Sequence, residues 1–376
     1  MIIVTGSAGY IGANFCNRLM SDERRFYINN SRPITQLDWL GSQIRCVDLI
    51  PSLSKVKLPS TSPFTIITMV NNYTNVLNDQ FFNQHRTDGM REHDIADESI
   101  VFHFAASASV PKSFVDPAHY YENNVFALDI FLKQLQKHRI SGMVFSSSSS
   151  VYGATDNVPP YNEEMATVPM SPYATTKVQG EQLLFKAAAK GNINAICLRY
   201  FNVAGAEGYG HRPDSDTTQL IPNIIAAHLE GRLFKVYGGD YDTPDGTAIR
   251  DYTHVTDVVT ANVLAGRYMA GKGRQGIYGK WEPINIGGGI GYSILEVIKM
   301  CSDVIGEEVK YEIVDRRKGD PHHVVADITK AKEILGWQPT KTLRDIVQSE
   351  WDWQTGSVYE AQTLHLYNKA MGVVTI

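Results

Sequence analysis

The stretch "MIIVTGSAGYIGANFCNRLM", residues 1–20, sets a short β-branched run directly before three spaced glycines. After them Ile11, Phe15 and Leu19 recur at helical spacing. Gly6, Gly9 and Gly12 thus form G-x-x-G-x-x-G where a strand hands over to a helix. Glycine lets the backbone turn sharply and approach a pyrophosphate, whose charge then lies at the positive end of the helix. The alternative is a tight turn that is only incidentally glycine-rich. The placement between a first strand and an amphipathic helix favours the dinucleotide reading.

Outward from this turn the pattern repeats. "QIRCVDLI", "SIVFHFAA", "GMVFSSSS" and "AICLRYFN" carry apolar runs suited to strands buried on both faces. Between the second and third of these, Val125, Leu128, Phe131, Leu132 and Leu135 fall at helical spacing. Strands alternating with helices predict an α/β fold with a doubly wound parallel sheet and right-handed crossovers. After about residue 203 loops rich in Gly, Pro and Asp interleave with helices such as "LIPNIIAAHLEG" and "ILEVIKMCSDVIG", which predicts a second, smaller domain. The segment "DYTHVTDVVTANVLAGRYM" reads as a strand or loop end entering a helix that returns to the first domain. Ser21 to Arg45 and Pro51 to Asp88 are polar, irregular and long for loops, and read as insertions.

Composition narrows the function classes. A chain of 376 residues, 43% hydrophobic, can bury a large core and by size holds about two domains. The net charge of −5 and the dispersed basic residues give no footprint for nucleic acid. Cys16, Cys46, Cys197 and Cys301 are far apart, without metal-ligand or disulfide spacing, so reduced thiols and no metal are expected. No basic leader or cleavage site precedes "IIVTG", and no apolar run approaches the roughly 20 residues of a membrane span. A cytoplasmic protein that does not contact membrane is expected.

Three further features carry chemistry. Asp48, at the end of "IRCVD", offers a carboxylate for adenosine ribose hydroxyls, which would favour NAD over NADP. It lies 36 positions beyond Gly12, a gap that the first insertion must account for; a surface aspartate is the alternative. "FSSSSSVYG", Phe145–Gly153, sets hydroxyls at the carboxyl edge of the sheet, where open α/β folds bind ligands, although serines also suit a polar turn. "SPYATTKVQGEQLL", Ser171–Leu184, starts with a cap and Pro172, and puts Tyr173 and Lys177 on one helical face. Val178, Leu183 and Leu184 supply an apolar stripe, so an ordinary amphipathic helix is the competing reading. With Ser148 lying 25 positions before Tyr173, a serine, a tyrosine and a lysine can converge. A lysine ammonium and a positive nicotinamide would both favour the phenolate, making Tyr173 a base on a sugar or alcohol hydroxyl.

Taken together, "VTGSAGYIG", "VFHFAASASV", "NNV", "FSSSSSVYG", "SPYATTK", "LRYFNVAGA", "DTPDGTAIRDYTHVTDV", "NIGGG" and "RRKGDPHHVVADITKAKEILGW" resemble the extended short-chain dehydrogenase/reductase family. Within it the likeness is greatest to the UDP-glucose (UDP-galactose) 4-epimerase branch, over residues 1 to about 20 and about 99 to 354. The resemblance implies a Rossmann-type NAD domain over residues 1–202, with 250–282 returning to it. A nucleotide-sugar-binding domain would take 203–249 and 283–376. It implies NAD-dependent 4-epimerisation of a UDP-hexose through a transient 4-keto intermediate, in a homodimer. Tyr173 would be the base, Lys177 would tune it and bind the nicotinamide ribose, and Ser148 would assist at the substrate hydroxyl. The cofactor would meet Gly6, Gly9, Tyr10, Ile11 and Gly12 at its pyrophosphate, and Asp48 and Asp88 at its adenosine. Phe104, Ala105, Ala106, Asn123, Ser146 and Phe201 would complete its pocket. The nucleotide sugar would meet Asn202, Gln219, Leu220, Val236, Tyr237, Arg250, Arg317 and Asp320. Arg250 and Arg317 suit a diphosphate on physical grounds as well, whereas Arg317 beside Arg316 and Lys318 also reads as a solvated charge.

The chain departs from the family pattern in places. The family's lysine in its "HFAG" segment is Ala108 here, and His323 and Val324 stand where an aromatic can narrow the sugar pocket. The smaller Val324 would admit an N-acetyl group, so a UDP-N-acetylhexosamine or UDP-glucuronate epimerase is an alternative. A nucleotide-sugar dehydratase or decarboxylase is disfavoured, since Ser149 and Ser150 follow Ser148 where a dehydratase carries acids. A dinucleotide sensor without chemistry is disfavoured by the intact Ser148, Tyr173 and Lys177.

Overall fold

The computed structural model describes residues 2–6, 9–20, 26–28, 32–34, 44–48, 69–70, 100–136, 142–153, 159–191, 193–207, 219–317 and 320–356. In chain order the strands of the first half are β1 (Ile2–Thr5), β2 (Phe26–Ile28), β3 (Arg32–Ile34), β4 (Ile44–Asp48), β5 (Met69–Val70), β6 (Ile100–His103), β7 (Gly142–Ser148) and β8 (Asn194–Tyr200). The second half adds β9 (Asn202–Ala204), β10 (Phe234–Tyr237), β11 (Ile249–His254), β12 (Trp281–Ile286), β13 (Gly291–Ser293), β14 (Tyr311–Val314) and β15 (His323–Val324). The helices are α1 (Tyr10–Met20), α2 (Val110–Val115), α3 (Pro117–Tyr121), α4 (Ala127–Leu135), α5 (Pro172–Ala189), α6 (Leu220–Leu229), α7 (Val255–Arg274), α8 (Ile294–Ile305) and α9 (Leu343–Gln354). Among the described residues no helix is long and apolar enough to cross a membrane.

Seven parallel strands form the central sheet in the order β12-β8-β7-β6-β1-β4-β5. Side chains alternate between its two faces, as a pleated strand requires. Ile100, Phe102, Val144, Ile196 and Leu198 pack with α1 and α7 on one face. Val101, Met143, Phe145 and Cys197 pack with Leu128, Phe131, Leu132 and Leu184 of α4 and α5 on the other. All seven residues of β8 are buried, which is why "NAICLRY" carries no polar alternation. The expected helix before β7 forms, with a π turn at Glu122–Phe126 that leads into α4.

Two expectations need adjustment and one is met: "IRCVD" is a strand that pairs in parallel with β1, and the insertion before it contains an antiparallel pair, β2 with β3. The parallel sheet does not end its return at residue 282: β12 continues to Ile286, because Ile284 and Ile286 are wholly buried in the core that α7 covers. Of the apolar stripe on α5 only Leu184 is fully buried, while Leu183 and Val178 lie half-buried at its margins.

The smaller unit has its own core, in which Ile221, Ile224 and Ile225 of α6, Val297 and Ile298 of α8 and Ile346 and Val347 of α9 surround Tyr252. Its central strand is β11, which pairs in parallel with β9 and β15 and antiparallel with β13. Because β9 follows β8 after one residue, the two units share one continuous run of chain at the carboxyl end of the sheet. The strand order reverses between β1 and β6, and it is at such a point that open sheets bind ligands.

His103 closes the sheet at this point. Its ring lies 5.8 Å from both Phe131 and Phe145, and Nδ1 is 2.8 Å from Thr5 Oγ1. Burial, with the charge of Lys177, pushes its pKa down to about 3. The native state therefore holds this ring neutral while the unfolded chain protonates it near pH 6.5. Its contribution is present above that pH and declines as pH falls from about 6.5 to about 3, by about 1.4 kcal/mol per unit. Thermal melts across this range should fall less steeply for His103→Gln than for the parent protein; parallel curves would contradict the assignment.

Candidate active site

The glycine turn fits a dinucleotide by its own geometry. Gly6 has φ 72°, and a Cβ there would stand 2.5 Å from the Ala105 amide nitrogen, so only glycine lets β1 pass so close to the segment after β6. Gly9 is exposed, and a Cβ on it would meet only the Gly6 carbonyl, at 3.3 Å. The first amide to bond back along α1 is that of Ala13, to Gly9 O at 2.8 Å. The N–H groups of Tyr10, Ile11 and Gly12 thus have no partner within the helix and sit at its positive end. The Tyr10 side chain turns away and donates to the Gly205 carbonyl, leaving only its backbone at the turn.

The segment after β6 supplies the neighbouring wall. Phe104 lies 5.2 Å from the Phe15 ring, Ala105 is buried and Ala106 half-buried. Asn123 Nδ2 reaches Ser107 Oγ at 3.2 Å. The buried neighbour Asn124 holds Ser107 at both its N–H, 2.8 Å, and its carbonyl, 3.0 Å, and donates to Thr176 Oγ1 on α5 at 3.1 Å. It clamps the wall to the helix that carries Tyr173, a role the sequence reading did not assign. Asp48 is the last residue of β4, and Asp88 lies outside the described residues.

The serine run that ends β7 divides its labour. Ser146 O accepts from Lys177 Nζ at 2.7 Å, and Ser147 Oγ donates to Glu181 at 2.5 Å. Ser148 Oγ accepts from the Ser150 N–H and hydroxyl at 3.2 and 2.9 Å, which leaves its own proton available to a partner. Ser171 caps α5 through the Ala174 N–H, and Tyr173 and Lys177 follow on its buried face.

Burial sets the electrostatics. It pushes the Tyr173 phenol up to about 12, against the opposing hydrogen bond from Ser148. It pushes Lys177 down to about 8, against the opposing charge of Glu181. The expectation that the lysine itself lowers the phenol is not met in this geometry: Nζ points to the Ser146 carbonyl, 5.7 Å from the Tyr173 ring centroid. The trio nonetheless gives a dry phenol, a neighbouring hydroxyl with a proton to donate and an ammonium 5.7 Å from the ring, a set able to take a proton from one alcohol and return it.

Behind them lies a buried pair that the sequence reading missed. Arg199 donates from Nε to Glu181 Oε1 at 2.9 Å and from Nη2 to Oε2 at 2.7 Å. The signal was present, since Glu181 follows Tyr173 and Lys177 at the same helical interval.

The expected sugar residues gather on the smaller unit. Arg250 Nη2 is 2.6 Å from Asp320 Oδ1, and the Arg317 guanidinium stacks 4.0 Å over the Tyr237 ring. Arg317 is exposed, yet this stacking gives it a defined position. Val236 is buried beneath Tyr237 on β10, Asn202 pairs with Tyr252 on β11, and Gln219 and Leu220 begin α6. Val324 pairs with Arg250 in the β11–β15 ladder. Phe201 is buried 6.5 Å from the Tyr152 ring.

A family model described as the NAD dependent epimerase/dehydratase family matches residues 2–287. A UDP-glucose 4-epimerase of Halalkalibacterium halodurans is 33% identical over 363 residues, covering 94% of this chain and 95% of that one. A UDP-glucose 4-epimerase from Stenotrophomonas maltophila, crystallised with NAD and formylated UDP-arabinopyranose, superposes with TM-score 0.77 at 31% identity, covering 96% and 99% of the two chains. One from Bifidobacterium longum, with NAD+ and UDP, superposes with TM-score 0.76 at 30% identity, covering 94% and 98%. The glycine turn at the sheet's switch point and the match over most of the chain agree, and the chain belongs to the NAD-dependent epimerase/dehydratase family.

Proposed function

We propose that the protein is an NAD-dependent UDP-hexose 4-epimerase of the UDP-glucose/UDP-galactose type. The observation that carries the reading is the placement of Tyr173 and Lys177 on the buried face of α5, with Lys177 Nζ bonded to the Ser146 carbonyl at the strand end that carries Ser148. Gly6, Gly9 and the amides of Tyr10, Ile11 and Gly12 would hold the cofactor pyrophosphate, and Asp48 the adenosine ribose. Phe104, Ala105, Ala106, Asn123, Ser146 and Phe201 would line the remainder. NAD+ when bound supplies a hydride acceptor that can give the hydride back.

The protein's part is proton transfer and placement. Ser148 holds the sugar's 4-hydroxyl beside Tyr173, which takes its proton and later returns it. Burial pushes the phenol up to about 12, so positive charge is needed closer to the ring than Lys177 Nζ stands; the nicotinamide when bound would supply it, with Lys177 adding its field from 5.7 Å away. Arg250 and Arg317 would grip the diphosphate, with Asp320 orienting Arg250 and Tyr237 supporting Arg317. A diphosphate held at a distance from the hexose leaves the ring free to present either face.

A homodimer fits the exposed apolar side chains Phe114, Val115, Tyr121, Phe126 and Met170, which lie on α2, α3, the π turn and the approach to α5. The free, buried thiols Cys197 and Cys301 suit the reducing cytoplasm.

Two measurements test these readings. Purified protein incubated with UDP-glucose, UDP-galactose, their N-acetyl forms and UDP-glucuronate should yield 4-epimers by chromatography without added NAD. Tyr173→Phe should lose at least about 100-fold in rate while keeping its NAD. Carbon dioxide or a 4-keto-6-deoxy product would overturn the epimerase reading, and turnover confined to N-acetyl sugars would move the substrate to the class that a small Val324 admits. Light scattering should give a dimer mass that Phe126→Glu reduces to that of one chain; a monomeric parent protein would contradict the homodimer.

A further inference from the structure

The buried face of α5 continues past its reactive pair. Tyr173, Lys177 and Glu181 recur every four residues, and both Lys177 and Glu181 are 4% exposed. Lys177 Nζ donates to the Ser146 carbonyl at 2.7 Å and lies 5.1 Å from the Phe145 ring centroid. Neither partner is a counter-ion. An ammonium taken out of water in this way is driven towards its neutral form unless a negative charge lies close by.

The groups facing Lys177 leave one source of that charge among the described residues. From β6 comes His103, held neutral down to about pH 3, and from β7 the Ser146 carbonyl and the Phe145 ring. From β8 come Cys197, whose thiol burial pushes well up, and Arg199, which is itself cationic. On α5 itself stand Tyr173, a phenol pushed up to about 12, and Glu181. The Glu181 carboxylate is fixed at three points, two from Arg199 and one from Ser147. Ser147 stands between Ser146, which holds Lys177, and Ser148, which meets Tyr173.

We infer that Glu181 is a positioning residue that keeps Lys177 protonated in its buried site, with Arg199 and Ser147 serving to hold the carboxylate one helical turn behind the ammonium. The opposing influences on Lys177 agree with this arrangement: burial pushes it down to about 8, and Glu181 is the foremost group acting upward. The inference deepens the proposed function, since it rests on Lys177 acting as an ammonium beside the cofactor and Tyr173. A purely architectural ion pair has no need to stand one turn behind that lysine, and apolar residues of similar volume often replace such pairs without loss.

Nuclear magnetic resonance of protein labelled with ε-¹³C lysine reads the titration directly, with the Lys177 signal assigned by its loss in Lys177→Met. The parent signal should titrate near pH 8. In Glu181→Gln the midpoint should fall by about one pH unit or more, and Glu181→Asp should restore most of that fall. The pair Glu181→Leu with Arg199→Leu removes a cation together with the carboxylate and should show a smaller fall in the same direction, so the test stands if the single variant fails to fold. A Lys177 midpoint unmoved in the variants that fold would overturn the inference. If the midpoint moves while the parent protein makes no epimer, the proposed function fails and the role of Glu181 stands.

Discussion

The reactive face of this protein depends on the two-point contact between Arg199 and Glu181. Arg199 reaches from β8 to α5, so one ion pair fixes the helix bearing Tyr173 and Lys177 against β8, and Ser147 ties the same carboxylate to β7, whose last residue is Ser148. Both side chains are almost wholly buried, and removing one partner of such a pair costs about 3–5 kcal/mol, a large part of a typical domain's stability. The same guanidinium donates to Tyr152 at 3.0 Å, Tyr152 to Asn285 at 2.7 Å, and Asn285 to the Tyr161 carbonyl at 2.8 Å. Tyr161 in turn takes part in backbone bonds with Val325 and Asp327, beside Val324. A continuous polar chain therefore joins the helix bearing Tyr173 and Lys177 to the strand that pairs with Arg250.

A second buried carboxylate organises the sugar side. Asp251, next to Arg250, accepts from the amides of Gly288, Gly289 and Ala326, and burial still pushes its carboxyl up to about 6. This explains the "NIGGG" run, since a Cβ at Gly287 would stand 2.6 Å from Asp251 Oδ2. The glycines here make room for a carboxylate of the protein, whereas Gly6 makes room for the backbone of Phe104 and Ala105. Through Asp251 the end of β12, the start of β13 and the residues after β15 are drawn onto β11, which presents Arg250 towards Asp320.

Features read from local pattern survived well. The glycine turn, the two-faced strands and the capped helix at Ser171 each depend on neighbours a few residues away, and periodicity or steric need marks them. The serine run was legible as a hydroxyl-rich edge, but not as separate partners for Lys177, Glu181 and Tyr173, because those contacts span 25 to 34 positions. Asn124 was hidden for the same reason, its partners lying 17 and 52 positions away. The height of the phenol's pKa was not legible, because charge can be read from residue types, whereas desolvation depends on tertiary burial, and in this geometry burial is the larger effect.

As the proposed base, Tyr173 is a desolvated acid that positive charge at its site would make usable. The most direct measurement is ultraviolet difference titration of phenolate, parent protein against Tyr173→Phe, with and without NAD+. The account predicts that without NAD+ Tyr173 stays un-ionised well above the ordinary tyrosine range, as a value of about 12 requires, and that NAD+ brings its ionisation several units down. A Tyr173 titration that is the same in both states would contradict it.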